Sequence, residues 1–201
     1  MPSVYALKPA FQRLLRPLVQ WLFDHGVTAN QVTVAAFFLS TVTGLAIAVQ
    51  PTSLPLLGVI PPVLFLRMAL NAVDGMLARE HHMGSRLGAI LNELGDVLAD
   101  AALYLPLALV PGLPALLIVL FVLFGVIAEM TGVVAVQIGA ARNYAGPMGK
   151  SDRAVLVGVI ALLLAVGVPA GFWCTVLFGL GVALSLATIV NRAKQALREA
   201  S

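Results

Sequence analysis

The sequence predicts an all-α integral membrane protein: six transmembrane helices preceded by an amphipathic helix lying in the membrane interface. Three observations predict it. Of 201 residues, 60% are apolar and 10% are charged, against roughly 45–50% and about 25% in soluble domains. The 12 Lys and Arg and 9 Asp and Glu residues are too few to clothe a water-exposed surface. Apolar stretches recur along the whole chain, and a bilayer-crossing helix needs about 20 such residues.

The first element is the interfacial helix, predicted over residues 8–23. Leu14, Leu15, Leu18, Val19 and Leu22 oppose Lys8, Arg13, Arg16 and Gln20, with Trp21 at headgroup level. Because residues 1–16 place Lys8, Pro9, Arg13 and Arg16 ahead of any long apolar run, no cleavable signal peptide is expected. Six spans follow, near 31–49, 55–79, 85–110, 113–140, 153–168 and 171–190. The chain reads as one domain over 1–201 with no internal repeat. Thr28, Asn30 and Thr33 open the first span as capping residues. Pro61 and Pro62 begin or kink the second. Cys174, the single cysteine, excludes a disulfide framework and a cysteine zinc site and reads as a packed core residue.

The loops supply an orientation. Lys8, Arg13 and Arg16 precede the first span, and Arg79 and Arg86 bracket the second turn. Arg142, Lys150 and Arg153 separate spans four and five, and Arg192, Lys194 and Arg198 follow the sixth. Eleven of the twelve basic residues thus fall on one side, which predicts cytoplasmic termini in a bacterial inner membrane. That distribution also explains the basic pI without nucleic acid as a partner. His81 and His82 read as residues of a wet turn.

Ionisable groups inside spans cost at least about 2.5–3.5 kcal/mol each on the insertion scale, so those present need partners, water or metal. Asn71, Asp74 and Ala78 share one face of the second span, at i, i+3 and i+7. Gly88, Asn92, Asp96 and Asp100, spaced by four, stripe the third. The turn over 79–85 makes these helices antiparallel neighbours and brings the two polar pairs to one depth. Their oxygens suit Mg²⁺ or Mn²⁺. Gly75 and Ala78 leave room either for close helix packing or for a ligand. Arg67 and Asp100, deeper but level with one another, read as an ion pair, with Glu129 as a further partner.

Asn71-x2-Asp74-Gly75-x2-Ala78-Arg79-x8-Gly88-x3-Asn92-x3-Asp96 resembles the signature of the CDP-alcohol phosphatidyltransferases, D-x2-D-G-x2-A-R-x8-G-x3-D-x3-D. The match spans 26 positions with spacing intact, and the six-span pattern extends the resemblance over nearly the whole chain. It implies transfer of a phosphatidyl or similar group from a CDP-linked donor, such as CDP-diacylglycerol, to a small alcohol, with release of CMP. It further implies that Asp74 is a metal ligand and Asp96 a ligand or general base. Gly75, Ala78, Arg79 and Gly88 would meet the nucleotide, and a homodimer follows by analogy.

Two positions depart from the family: Asn71 and Asn92 stand where it has Asp. An amide offers a carbonyl oxygen to a metal but no negative charge and no base. This predicts a one-metal or weak-metal variant, aided by Glu93 or Asp100; the alternative is a catalytically silent CDP-lipid-binding protein. A cation transporter built on the same carboxylates disagrees with the nearly uncharged outer thirds of the spans.

Residues 142–153 have the look of a phosphate-binding P-loop but carry Tyr144 where it needs Gly, and no strand precedes them. Arg142, Lys150 and Arg153 read either as lipid-headgroup contacts or as a cationic wall for phosphate groups of donor or acceptor. Asp152 reads as a helix cap. The acceptor stays open among phosphorylated alcohols, free polyols, serine and a second lipid.

Overall fold

The computed structural model describes residues 7–200, with the side chains of 7–9 excluded; the opening of the segment read for a signal peptide, residues 1–6, lies outside the described residues. All regular structure in them is helical: α1 (Leu7–Asp24), α2 (Ala29–Val49), α3 (Leu54–Glu80), α4 (Arg86–Tyr104), α5 (Ala115–Val134), α6 (Lys150–Ala165) and α7 (Phe172–Glu199). Short 3₁₀ segments extend α4 through Leu109 and α5 through Ile138.

Local chemistry sets these boundaries. Thr28 and Gln31 start α2 with a reciprocal capping box, Thr28 Oγ1 accepting from the Gln31 N–H at 3.3 Å and Gln31 Oε1 from the Thr28 N–H at 2.8 Å. Ser85 Oγ caps α4 by accepting from the Gly88 N–H at 2.9 Å. Pro106, lacking an N–H, lies where α4 tightens to 3₁₀. The Asp152 carboxylate accepts from the Gly149 N–H at 2.9 Å and so caps α6. Pro61 and Pro62 sit inside α3 and do not begin it.

Among the described residues, four segments are long and apolar enough to cross a membrane: Ala29–Val49, Leu54–Glu80, Ala115–Ile138 and Phe172–Glu199. α4 falls short because Glu93, Asp96 and Asp100 dilute its apolarity. α6 falls short in length: its 16 residues rise about 24 Å, against about 30 Å of hydrocarbon. α1 packs Leu15, Val19 and Leu22 beside Val73, Met76 and Leu77, while Leu14, Leu18 and Trp21 remain exposed.

One expectation needs correcting. α3 and α4 are joined by a tight turn, but α2 packs along both of them and they meet each other chiefly through polar side chains. Gly44 makes this close packing of α2 on α4 possible: a Cβ there would come 1.9 Å from the Ala102 carbonyl oxygen. The other main pairings are α3 with α6 and α5 with α7. An apolar core including Ile47, Ile60, Leu103, Phe121 and Phe178 fills the end of the bundle away from the motif, and Cys174 is buried in it. Phe121 meets Phe178 edge to face with ring centroids 5.8 Å apart.

Candidate active site

At the other end the bundle opens into a cavity of about 260 Å³, with Asn92, Asp96, Tyr144 and Lys150 among its walls. Three layers of side chains lie in and around it; Asn71 and Asp74, in the first, are not part of its wall.

The first layer is the motif. Asn71 Nδ2 donates to Asp96 Oδ1 at 3.1 Å, joining α3 to α4. The Lys150 ammonium, at the start of α6, also pairs with Asp96 Oδ1. Both contacts fall on one oxygen, and Oδ2 carries neither. Asp74 is buried one turn from Asn71 and accepts from the Thr33 hydroxyl of α2 at 2.7 Å. Thr33 is therefore more than a helix-start residue.

The second layer is an ionic chain beneath the cavity. Arg67 donates to Asp100 at 2.5 Å and reaches the Asp96 carbonyl at 3.3 Å. Arg153, 3% exposed, lies 3.2 Å from both Asp100 and Glu129. Glu129 also pairs with Arg142 at 3.1 Å and Arg192 at 3.2 Å. One carboxylate thus holds three guanidinium groups. Local sequence explains how: Gly125, Glu129 and Gly132 share a face of α5. A Cβ at Gly125 would lie 3.2 Å from Arg153, and one at Gly132 would lie 2.0 Å from Arg142. Arg192 is buried, donates to the Ala128 carbonyl at 2.5 Å, and lies on the same stripe of α7 as buried Ser185 and Thr188. Sequence reading counts Arg192 among the flanking charges; the 185, 188, 192 spacing was the signal for its inward direction.

The third layer is the loop between α5 and α6. Arg142 donates through Nε and Nη2 to Glu93 at 3.0 and 2.8 Å, and through Nη1 to the Asn143 carbonyl at 2.8 Å. Its guanidinium also lies 4.4 Å from the Tyr144 ring centroid. Burial alone would lower the Arg142 pKa, but its bonds to Glu93 and Glu129 hold it above the ordinary value. It stays cationic.

Arg142, Lys150 and Arg153 therefore all reach the cavity, each against a carboxylate. Gly75, Ala78, Arg79 and Gly88 are not part of its wall. The Arg79 guanidinium folds back to 3.1 Å from where a Gly75 Cβ would stand, and a Gly88 Cβ would come 2.6 Å from Asn30 Oδ1. Gly88 thus lies where α4 starts beside α2, while Gly75 and Arg79 lie against one another near the end of α3. His81 stacks on Phe23 at 4.1 Å between centroids, away from the cavity. Among the described residues no three His, Cys, Asp or Glu side chains gather as a cation site. Any ion here would need amide oxygens as well.

Comparison with known proteins gives the chain its family and its fold. The chain is 47% identical over 197 residues to the inner membrane protein YnbA of Escherichia coli (strain K12), covering 97% of this chain and 96% of that one. It shares its fold with the Mycobacterium tuberculosis phosphatidylinositol phosphate synthase PgsA1. The form in complex with manganese and citrate aligns with a TM-score of 0.73 at 20% identity, over 90% of this chain and 88% of that one. The form with CDP-DAG bound aligns with a TM-score of 0.71 at 21% identity, over 94% of each. The family model for CDP-alcohol phosphatidyltransferase matches residues 26–190, and the chain belongs to that family of transferases.

Proposed function

We propose that this protein transfers a phosphatidyl, or similarly substituted phosphate, group from a CDP-linked lipid such as CDP-diacylglycerol to a small alcohol, releasing CMP. The observation that carries this reading is Asp96. It lies on the wall of a polar cavity, with one oxygen tied to Asn71 and Lys150 and the other carrying neither bond. A carboxylate so oriented can take the proton of an acceptor hydroxyl. That hydroxyl oxygen then forms a bond to the phosphorus bearing the lipid, and the bond from that phosphorus to the CMP oxygen breaks. Positioning and charge neutralisation supply most of the catalysis in such transfers. Lys150 faces the developing charge, and Arg142 and Arg153 fix the wall behind it.

The nucleotide belongs with Gly75, Ala78 and Arg79 of α3 and Gly88 of α4, as the family resemblance implies, with the Arg79 and Asn30 side chains that cover the two glycines turned toward it. The residues fit one divalent cation, Mg²⁺ or Mn²⁺, better than two. Asp74 and Asp96 are the only motif carboxylates, and Asp96 already carries an ammonium. Asp74, with the carbonyl oxygens of Asn71 and Asn92, would hold the ion, leaving the unbonded oxygen of Asp96 for the proton. Bound there, it would neutralise the donor diphosphate.

Six crossings, in which α4 and α6 join the four long apolar helices, and α1 lying in the interface, complete the proposed architecture. The basic loops support an orientation with the cavity and both termini on the cytoplasmic side of a bacterial inner membrane. CMP release from CDP-diacylglycerol in detergent, titrated with Mg²⁺ and Mn²⁺ and followed by mass spectrometry of the lipid product, tests the reading. Metal-dependent release with a new lipid is the expected result. Release absent at every metal level across a broad acceptor panel would instead make this a CDP-lipid-binding protein.

A further inference from the structure

Glu93 stands at a motif position of unspecified type, directly after Asn92. Its carboxylate occupies the guanidinium fork of Arg142 through two bonds, at 3.0 and 2.8 Å. Arg142 spends further donors on Glu129 at 3.1 Å and on the Asn143 carbonyl at 2.8 Å. Of the five N–H donors of a guanidinium, one is left. The other cavity cations are committed as well: Lys150 to Asp96, Arg153 to Asp100 and Glu129, Arg192 to Glu129.

A phosphomonoester carries close to two negative charges at neutral pH and wants planar, forked donors. To take the Arg142 fork it must expel Glu93, then share the cavity with the carboxylate it displaced. A hydroxyl group meets no such conflict. It accepts from the remaining N–H and donates to a carboxylate. The volume of about 260 Å³ lies near the low end of small-molecule sites, roughly 300–1,000 Å³, and suits a small alcohol.

We infer that the acceptor is a small alcohol bearing no phosphate group, and that Glu93, by filling the fork of Arg142, is the residue that rejects phosphorylated acceptors. This inference rests on the transferase reading for the word acceptor, but the charge pairing behind it does not.

Two arms test it on the full chain in detergent. In the first, CDP-diacylglycerol is supplied with glycerol or glycerol 3-phosphate, serine or phosphoserine, inositol or inositol 1-phosphate. The phosphate-free member of any productive pair should lead in kcat/KM by about tenfold or more, the ratio that follows from 1.4 kcal/mol of discrimination. Glu93→Gln should narrow or invert that lead. A wild-type preference for the phosphorylated member overturns the inference. The second arm needs no turnover: inorganic phosphate and glycerol 3-phosphate are titrated by calorimetry into wild type and Glu93→Gln. The variant should bind at least about tenfold more tightly. Equal affinities, measurable or not, overturn the inference, and Glu93→Ser carries the same comparison should Glu93→Gln fail to fold. Silence in the first arm with the expected difference in the second would sink the transferase reading alone.

Discussion

The two ends of the helix bundle are built on opposite principles. At one end Phe121, Phe178, Ile60 and Ile47 interlock with almost no exposed surface, and the loops over 50–54, 111–112 and 167–170 carry no basic residue. Lipid is as apolar as these side chains, so shape and dispersion, more than expulsion of water, hold this end together. At the other end, helices that fail to close are tied by charge: Arg67 to Asp100, Asp100 to Arg153, and Glu129 to three arginines. Hollows at the apolar end are lined almost wholly by apolar side chains, whereas at the other end paired charges span a gap between helices and hold it open. The polar cavity belongs in that gap.

The comparison is broken most directly at Asp96. Asp96→Asn keeps the volume and an acceptor oxygen but removes the proton acceptor. CMP release should fall by about 10²–10⁴-fold, the contribution of a positioned base, while the thermal unfolding midpoint in detergent stays near that of wild type. Near-normal turnover would remove Asp96 from the chemistry.

Glu129 tests the opposite property of the same end. Glu129→Ala strips the shared carboxylate from Arg142, Arg153 and Arg192, the last two almost wholly buried. Arg142 keeps Glu93 and Arg153 keeps Asp100, but buried Arg192 loses its carboxylate; breaking a buried pair in this way costs about 3–5 kcal/mol, and the loss should appear as a lowered midpoint in denaturant titration. An unchanged midpoint would mean that the ionic chain does not hold this end together.

These two residues also show what the sequence reveals and what it hides. Asp96 was legible because its spacing from Asn92 and Gly88 is that of a motif, and helical periodicity put Asn71 at its depth. The contact between Arg67 and Asp100 was legible for the same geometric reason. Glu129 was visible only as an ion-pair partner, and its three arginines lie 13, 24 and 63 positions away in sequence, distances over which no periodicity operates. The splay of α3 from α4 was hidden too. A short turn fixes antiparallel order, not separation, and the close fit of Gly44 against Ala102, which lets α2 lie along α4, is a long-range match with no local signal.

That fit gives the test for the apolar end. Gly44→Ala drives a methyl group to 1.9 Å from the Ala102 carbonyl oxygen, and a backbone atom cannot swing aside as a long side chain can. Overpacking of this kind costs about 1–3 kcal/mol. Stability should drop without the specific loss of turnover expected at Asp96, because Gly44 lies toward the end of the bundle away from the cavity. A Gly44→Ala protein as stable as wild type would show that the apolar end is loosely packed.

The smallest effect belongs outside both ends. Arg16 of α1 pairs with Glu80 of α3 at 3.2 Å, but their side chains are 61% and 37% exposed. Water screens such a pair, and holding two long side chains in register offsets most of the attraction, so exposed pairs contribute about 0.2–1 kcal/mol. Arg16→Gln should therefore shift the unfolding midpoint by an amount within that range and leave CMP release unchanged. The same chemical bond, arginine to carboxylate, is expected to matter several-fold more at Glu129. If the two substitutions prove equally costly, burial is not what gives the cavity's ion pairs their strength.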